Sequence, residues 1–578
     1  MSTLSVAQVF NECQASVTLH KKCAHLLSKR RQETPDVFFN DFCACLKHVL
    51  LVQKGDADAE RVVKFVTTFA TARESGNEDI CDEFLENTLS FLLDYVTATD
   101  KTVRYRVCQI IAGILNDAGE TEISDDLLER IQLDMTKRVR DKFPPVRVHA
   151  IRSLARLQDS GEEGDFREDP VTALLEQVLL TERSKDVRKA ALGSIGTSDF
   201  TLEMVVERTK DINEEVRRIA FMVLREKLSI KHLSMQQRAT VLQRGLLDRD
   251  LKVQKECRSL LFHWLQESND DPVVLLRALD VETHEAVAER VLQELFTEGG
   301  IKPVHVALTQ ASQGLRNDKV GVPTESGVAL LDTETVLFWR VLCEYLHRAA
   351  QERGTDAATA CGTTAVVAAA SAGDLLEALE AALPATVATL FDLVAAYAAA
   401  GSERHFAARQ LLRLTRCLEL ADTTGRQAAM QLLHRLLGEP PVEGSFGLGG
   451  DESWERALVD AASLVYDAPS TLHRALLESA LAMALPQAAV EGEGSTAISG
   501  EVAEGGPEDE ARVARWMQSL LLVVLALEGA ASEQGLRGAA RGSSMEDESA
   551  LLLERVMSEV VLPAVQNSAA PLRREGLR

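Results

Sequence analysis

The side chains in this sequence best placed to do chemistry are cations. Between Arg130 and Arg156 stand Arg130, Lys137, Arg138, Arg140, Lys142, Arg147, Arg152 and Arg156 against Asp134 and Asp141 alone, in a chain whose formal net charge is −25. Smaller groups occur at Lys21, Lys22, Lys29, Arg30 and Arg31, at Lys185, Arg188 and Lys189, at Arg217 and Arg218, and at Lys252, Lys255 and Arg258. Cations spaced along a surface neutralise phosphates, so they offer contact with a polyanion through shape and charge and not through base reading. Ordinary solvated helix faces paired with nearby acids produce the same pattern, and charge alone does not separate the two.

Residues suited to bond-making are harder to find. The chain has no HExxH, Walker phosphate loop, GxSxG elbow or kinase signature set. The run "GEGSTA" from Gly492 to Ala497 matches a dinucleotide fingerprint by letters only, since no strand precedes it and acidic flanks would repel a pyrophosphate. His20, His25 and Cys23 lie close in sequence, as do Cys43 and Cys45, but neither group brings the four converging ligands of a zinc site. The ten cysteines are scattered and read as buried thiols of a reducing compartment. With 88 acidic residues no carboxylate pair stands out as acid and base. The expectation is an interaction protein, not an enzyme, with no cofactor and no metal.

The elements that must position the cations are helices. Apolar residues recur at helical spacing in "ALLEQVLL", "RIAFMVLREKL" and "ARQLLRLTRCLEL", and strand signals are almost absent. No stretch of 18 or more apolar residues appears, and the start lacks the basic, apolar, small-residue order of a secretory signal. A unit of valine, a basic residue and an apolar helix repeats as "DKTVRYRVCQIIAGIL" at Val103, "FPPVRVHAIRSLARL" at Val146, "SKDVRKAALGSI" at Val187 and "NEEVRRIAFMVL" at Val216. A looser copy, "RDLKVQKECRSLLFHWL", follows at Val253. Repeats of roughly 40 residues, each a pair of antiparallel helices, predict an all-α HEAT-repeat alpha-alpha superhelix, a curved solenoid.

In such a unit the acidic or proline-containing turn starts the second helix, where Asp or Ser caps free amides and Pro fits the first turn. Valine then faces the stack. Arg104, Arg147, Arg188 and Arg217 follow that valine, and a position recurring with the repeat is expected to bind an acidic turn residue of the neighbouring repeat. The other cations, brought side by side by stacking, would line one edge.

The domain expectation is an N-terminal solenoid over 1–300 and an irregular segment over 301–380 with one aromatic helix and an alanine-rich insertion. Further helical repeats occupy 381–488, an acidic Gly-rich linker 489–510, and last repeats 511–578. Pro571, Leu572 and Arg573 mimic Pro145, Val146 and Arg147 with no second helix after them, so truncation of a longer protein is expected.

The succession "VFNECQASVTLHKKCAHLL", "AERVVKFVTTFAT", "VRYRVCQIIAGILNDA", "DKFPPVRVHAIRSLARLQD", "VRKAALGSI" and "RTKDINEEVRRIAFMVLREKL" resembles the condensin complex subunit 3 family, the HEAT-repeat G subunits of condensin. "LFWRVLCEYL" from Leu337 to Leu346 extends the resemblance. It implies a non-enzymatic subunit that binds the kleisin subunit of condensin directly and sits beside the SMC ATPase subunits. It also implies a basic groove for double-stranded DNA during mitotic chromosome condensation, in the nucleus and on the chromosome, with the cytoplasm as an interphase location and no membrane. The candidate pool for phosphate contact is Lys21, Lys22, Lys29, Arg30, Arg31, Arg138, Arg140, Lys142, Lys189, Arg218, Lys252 and Lys255. The alternative is a generic HEAT-repeat scaffold or transport adaptor binding a peptide partner. A helical-repeat DNA repair enzyme would need an acidic residue beside an aromatic pocket, and no such constellation is visible.

Overall fold

The structure is a computed structural model that describes residues 4–73, 78–119, 123–159, 161, 166–317, 320–321, 323–324, 327–359, 371–438, 454–466, 469–484, 519–520, 522–524 and 551–566. The acidic Gly-rich stretch 489–510, most of the alanine-rich insertion and the last residues from 567 onward lie outside these. The described chain is helical apart from a two-residue antiparallel pair, Pro323–Thr324 with Gly327–Val328. It divides into two compact units, Met1–Asp270 and Asp271–Arg578. The division precedes the residue 300 suggested by the repeats, and it falls where Asn269 and Asp270 take left-handed backbone conformations after the last helix of the first unit.

The first unit opens with α1 (Val6–Ala15), α2 (His20–Glu33), α3 (Pro35–Leu50) and α4 (Ala57–Ala70). Five helix pairs follow. They are α5 (Glu78–Asp94) with α6 (Lys101–Asp117), α7 (Asp125–Arg138) with α8 (Pro144–Leu154), and α9 (Pro170–Thr181) with α10 (Lys185–Ser194). Next come α11 (Asp199–Glu207) with α12 (Glu214–Lys227) and α13 (Met235–Leu246) with α14 (Leu251–Glu267). The second helices pack in succession, α6 on α8, α8 on α10, α10 on α12 and α12 on α14, while each first helix packs on its own partner. This is the HEAT-repeat architecture, in which a single pair cannot bury its apolar stripe and neighbours complete the core.

The repeated valines explain the stacking. Val103, Val146, Val187, Val216 and Val253 are all buried, as are Val107, Ala150, Ala191, Ala220 and Cys257 four residues after each. That spacing puts both on one helix face. The turns start the helices as capping chemistry predicts: Asp100 accepts from the Thr102 amide, Asn213 from Glu215, and Asp250 from Lys252 and Val253. Pro144 and Pro145 occupy the first turn of α8 instead, and Ser184 precedes α10 without a side-chain cap.

The second unit contains α15 (Pro272–Arg277), α16 (Glu285–Thr297), α17 (Pro303–Gln310), α18 (Thr333–Thr359), α19 (Ala372–Ala382) and α20 (Val387–Ala399). It continues with α21 (His405–Arg413), α22 (Thr423–Gly438), α23 (Trp454–Val465) and α24 (Pro469–Ala484). The aromatic helix is α18, whose Phe338 and Trp339 are buried and whose Arg340 is 2% exposed.

Candidate nucleic-acid and partner interface

Four arginines tie the turns of the first unit into one line. Arg104 grips Asp141 of the next turn with Nε at 2.7 Å and Nη2 at 3.1 Å, while Nη1 donates to the carbonyl of Ala98 at 2.8 Å. Arg147 donates to Glu182 at 2.8 Å and to the Asp141 carbonyl at 2.9 Å. Arg188 forks onto Asp211 at 2.9 and 2.7 Å and onto the Glu182 carbonyl at 3.0 Å. Arg217 forks onto Asp248 at 2.6 and 2.8 Å and onto the Asp211 carbonyl at 2.9 Å. Each arginine thus satisfies a carbonyl six residues before it and a carboxylate one turn farther along, through a bidentate fork that lysine could not make at Arg104, Arg188 and Arg217 and through a single hydrogen bond at Arg147.

The carboxylates are anchored in turn. Asp141, Asp211 and Asp248 accept from the amides of Phe143, Asn213 and Asp250, and Glu182 from Ser184. Burial raises the carboxyls of Asp141, Glu182 and Asp248, but the arginine hydrogen bonds and turn amides outweigh it and hold each below its ordinary value. The line ends at Gln254, which follows Val253 where the other repeats have arginine. Its Nε2 donates to the Asp248 carbonyl at 2.6 Å, but the amide has no guanidinium to reach onward. The break between the units comes soon after, at Asp270.

The structure sorts the remaining cations. Arg31 is 2% exposed, its guanidinium lies 5.3 Å from the ring centroids of Phe69 and Phe84, and Nη2 donates to the Cys81 sulfur. A phosphate cannot reach it, so Arg31 leaves the pool. Arg138 pairs with Asp141 at 3.1 Å and belongs to the line of turns, a role legible in its three-residue spacing. Arg30 donates to the Leu4 carbonyl, Lys22 pairs with Glu12, Lys29 with Glu33 and Arg218 with Glu256, while Lys189 is held by Asp186 and Glu215. Lys21, Arg140, Lys142, Lys252 and Lys255 are exposed and form no ion pair with any described residue. Arg140 and Lys142 flank Asp141 itself, and Lys252 and Lys255 lie on α14 just past the Asp248 turn, so these four share the line of turns. Lys21 is on α2, which packs on α1 and α3.

Sequence reasoning missed two buried arginines. Arg106 has a fully buried side chain and donates to the carbonyls of Val52 and Gln53 and to Glu60, closing the α3 to α4 turn. In the second unit Arg340 bonds Glu344, Glu289 and Gln410, while Glu285 receives Arg409, Gln410 and Arg413. A cavity of about 220 Å³ beside this cluster is lined by Arg413, Arg416, Asp460 and Leu464 among others. Among the described residues no group of three or more His, Cys, Asp or Glu could hold a metal ion.

The stacked pairs and their line of turns define the class, a HEAT-repeat solenoid. No family model matches the chain. Condensin complex subunit 3 of Xenopus laevis is 32% identical over 448 residues, which are 75% of this chain and 41% of that protein. The same subunit of Homo sapiens is 34% identical over 358 residues, 60% of this chain and 34% of that protein. The crystal structure of the S. pombe condensin Cnd3-Cnd2 subcomplex superposes with a TM-score of 0.73 at 23% identity, covering 99% of this chain and 64% of that one. The chain therefore spans less than half the length of these two curated relatives. Over the span matched, it is a relative of condensin complex subunit 3.

Proposed function

We infer that this chain acts as a non-SMC regulatory subunit of condensin, without catalysis of its own, binding the kleisin subunit and double-stranded DNA for mitotic chromosome condensation. Its place is then the nucleus and the chromosome, in a complex whose ATP hydrolysis belongs to the SMC subunits. The relatives and the solved Cnd3-Cnd2 pairing support the condensin part of the reading. The DNA part is carried by one observation: Arg140 and Lys142 stay exposed, with no ion pair to any described residue, on a turn that Arg104 and Arg147 hold in register. Rigidly spaced cations can follow a phosphate backbone without reading bases.

The test is co-purification with kleisin, then titration of duplex DNA at several salt concentrations with the wild-type chain and the Arg140→Glu, Lys142→Glu double variant. Affinity should fall as salt rises, and the variant should bind at least tenfold more weakly with a shallower salt slope, by roughly one per lost phosphate contact. Unchanged DNA binding removes this pair from the interface. Failure to bind kleisin defeats the condensin reading and favours a generic scaffold.

A further inference from the structure

The same line of turns carries side chains that phosphate contact does not use. Ile212 is 83% exposed, Leu251 74%, Leu180 68% and Leu247 67%. Single exposed aliphatics are common, but several gathered at one place mark a contact surface. The arginines gather these. The Arg188 guanidinium touches the carbonyls of Glu182 and Arg183 on one turn and the carboxylate of Asp211, next to Ile212, on the following turn. The Arg217 guanidinium touches the carbonyls of Asp211 and Ile212 and the carboxylate of Asp248, next to Leu247. Neighbouring turns therefore lie within the span of a single guanidinium, with Leu180 in the last turn of α9 two residues before Glu182, Ile212 and Leu247 each next to a gripped aspartate, and Leu251 opening α14.

The rim charges left without a partner are cationic. Arg183, Arg249 and Lys252 are exposed and form no ion pair with any described residue, whereas Lys185 and Lys210 are held by Glu215 and Glu207; of the acids on these turns, Asp186 pairs with Lys189, Glu214 accepts from Asn213 and Asp250 caps α14. An aliphatic centre inside a positive rim complements a ligand with aliphatic side chains and flanking carboxylates. Phosphates gain nothing from Ile212 or Leu247, and a basic peptide would meet like charge.

We propose that the edge formed by Leu180, Ile212, Leu247 and Leu251 docks an acidic amphipathic segment of a protein partner, its aliphatic face on these residues and its carboxylates toward Arg183, Arg249 and Lys252. This goes beyond the DNA reading, because it assigns the later turns of the line to a protein and leaves the Arg140 and Lys142 turn to phosphate.

Two labelled amphipathic helical peptides test it, with leucines on one face and either glutamates or lysines flanking them, titrated by anisotropy against the full chain. The wild type should bind the Glu-flanked peptide and discriminate against its Lys-flanked twin. The Ile212→Ser, Leu247→Ser, Leu251→Ser variant, whose changes are all at exposed positions, should keep its helical circular dichroism and thermal midpoint yet bind at least about tenfold more weakly. The Arg183→Glu, Arg249→Glu variant should reverse the preference between the two peptides. Hydrogen exchange should slow on binding in residues 209–213 and 246–252 of the wild type. The proposal is overturned if the Glu-flanked peptide does not bind, if the serine variant binds it as well as wild type, or if both peptides bind equally. It is also overturned if the serine variant loses affinity for duplex DNA instead, which would make this edge a nucleic-acid surface.

Discussion

In the first unit Arg104, Arg147, Arg188 and Arg217 each reach one carboxylate on the next turn, and the pairs repeat along the stack. In the second, Arg340, Arg409 and Arg413 converge on Glu285 and Glu289 in a single knot between α16, α18 and α21. Both arrangements neutralise buried charge, but they distribute it differently. A rung in the line lies at the edge, shares its load with a backbone carbonyl and depends on one neighbour. The knot puts Arg340 deep in the unit, where burial disfavours its charge and Glu344 and Glu289 more than restore it. Periodic pairing holds register along a stack, whereas a knot locks particular helices together.

The comparison predicts a graded response to breaking each kind of pair. Arg340→Ala leaves Glu344 without its guanidinium, Glu289 with Arg413 alone and a hole in the middle of the knot, and should cost the second unit about 3–5 kcal/mol, read as a lower urea midpoint with loss of amide protection in α18. Arg188→Ala leaves Asp211 buried beside one lost fork, and should cost about 1.5–3 kcal/mol, with protection lost in α10 and α12 and not in α18. Equal losses in both units, or a larger loss at Arg188, would break the distinction between rung and knot.

Acid separates the units further. The carboxyls of Asp141, Glu182, Asp248 and Glu285 lie below their ordinary values when folded, so each stabilises the protein above about pH 4 and that contribution is lost as pH falls through the folded value. His149 acts earlier and only in the first unit. Burial, then Arg152, Lys54 and Arg106, hold its imidazole neutral and lower its pKa from 6.5 to about 3. A depressed histidine stabilises above pH 6.5 and loses that contribution as pH falls toward 3. Between pH 6.5 and 5 the first unit should lose about 1–2 kcal/mol that the second keeps. His149→Gln should flatten this part of the pH profile, and imidazole NMR shifts should stay those of the neutral ring at pH 5. The smallest effect belongs to Arg140→Glu with Lys142→Glu: both are exposed and unpaired, so the urea midpoint of the first unit should not move while DNA affinity falls.

The rungs were legible because they repeat. The arginine after each stacking valine recurs at fixed places, and an acid recurs in each turn, so periodicity carried the pairing. Even the end of the line is written locally, in the glutamine at position 254. Arg138 was legible in part, since an aspartate three residues on is a common helix partner, although its place in the cationic run suggested phosphate. Arg31 gave no warning: its rings belong to Phe69 and Phe84, and nothing local in "SKRRQE" marks one arginine as buried and its neighbour as not. Arg340 was equally silent, because Glu289 lies 51 residues away and Gln410 lies 70 residues away.

By itself the sequence determined the helical repeat, the valines that face the stack, the turns that start each second helix and the arginines that follow them. These are matters of period and capping, fixed within a few residues. Only the tertiary structure decided which cations remain available, since a charge is spent or left over according to where a carboxylate or ring sits in space. It also decided that the turns bearing Glu182, Asp211 and Asp248 lie side by side with exposed aliphatics next to them, because residues far apart in the chain become neighbours only when the repeats stack.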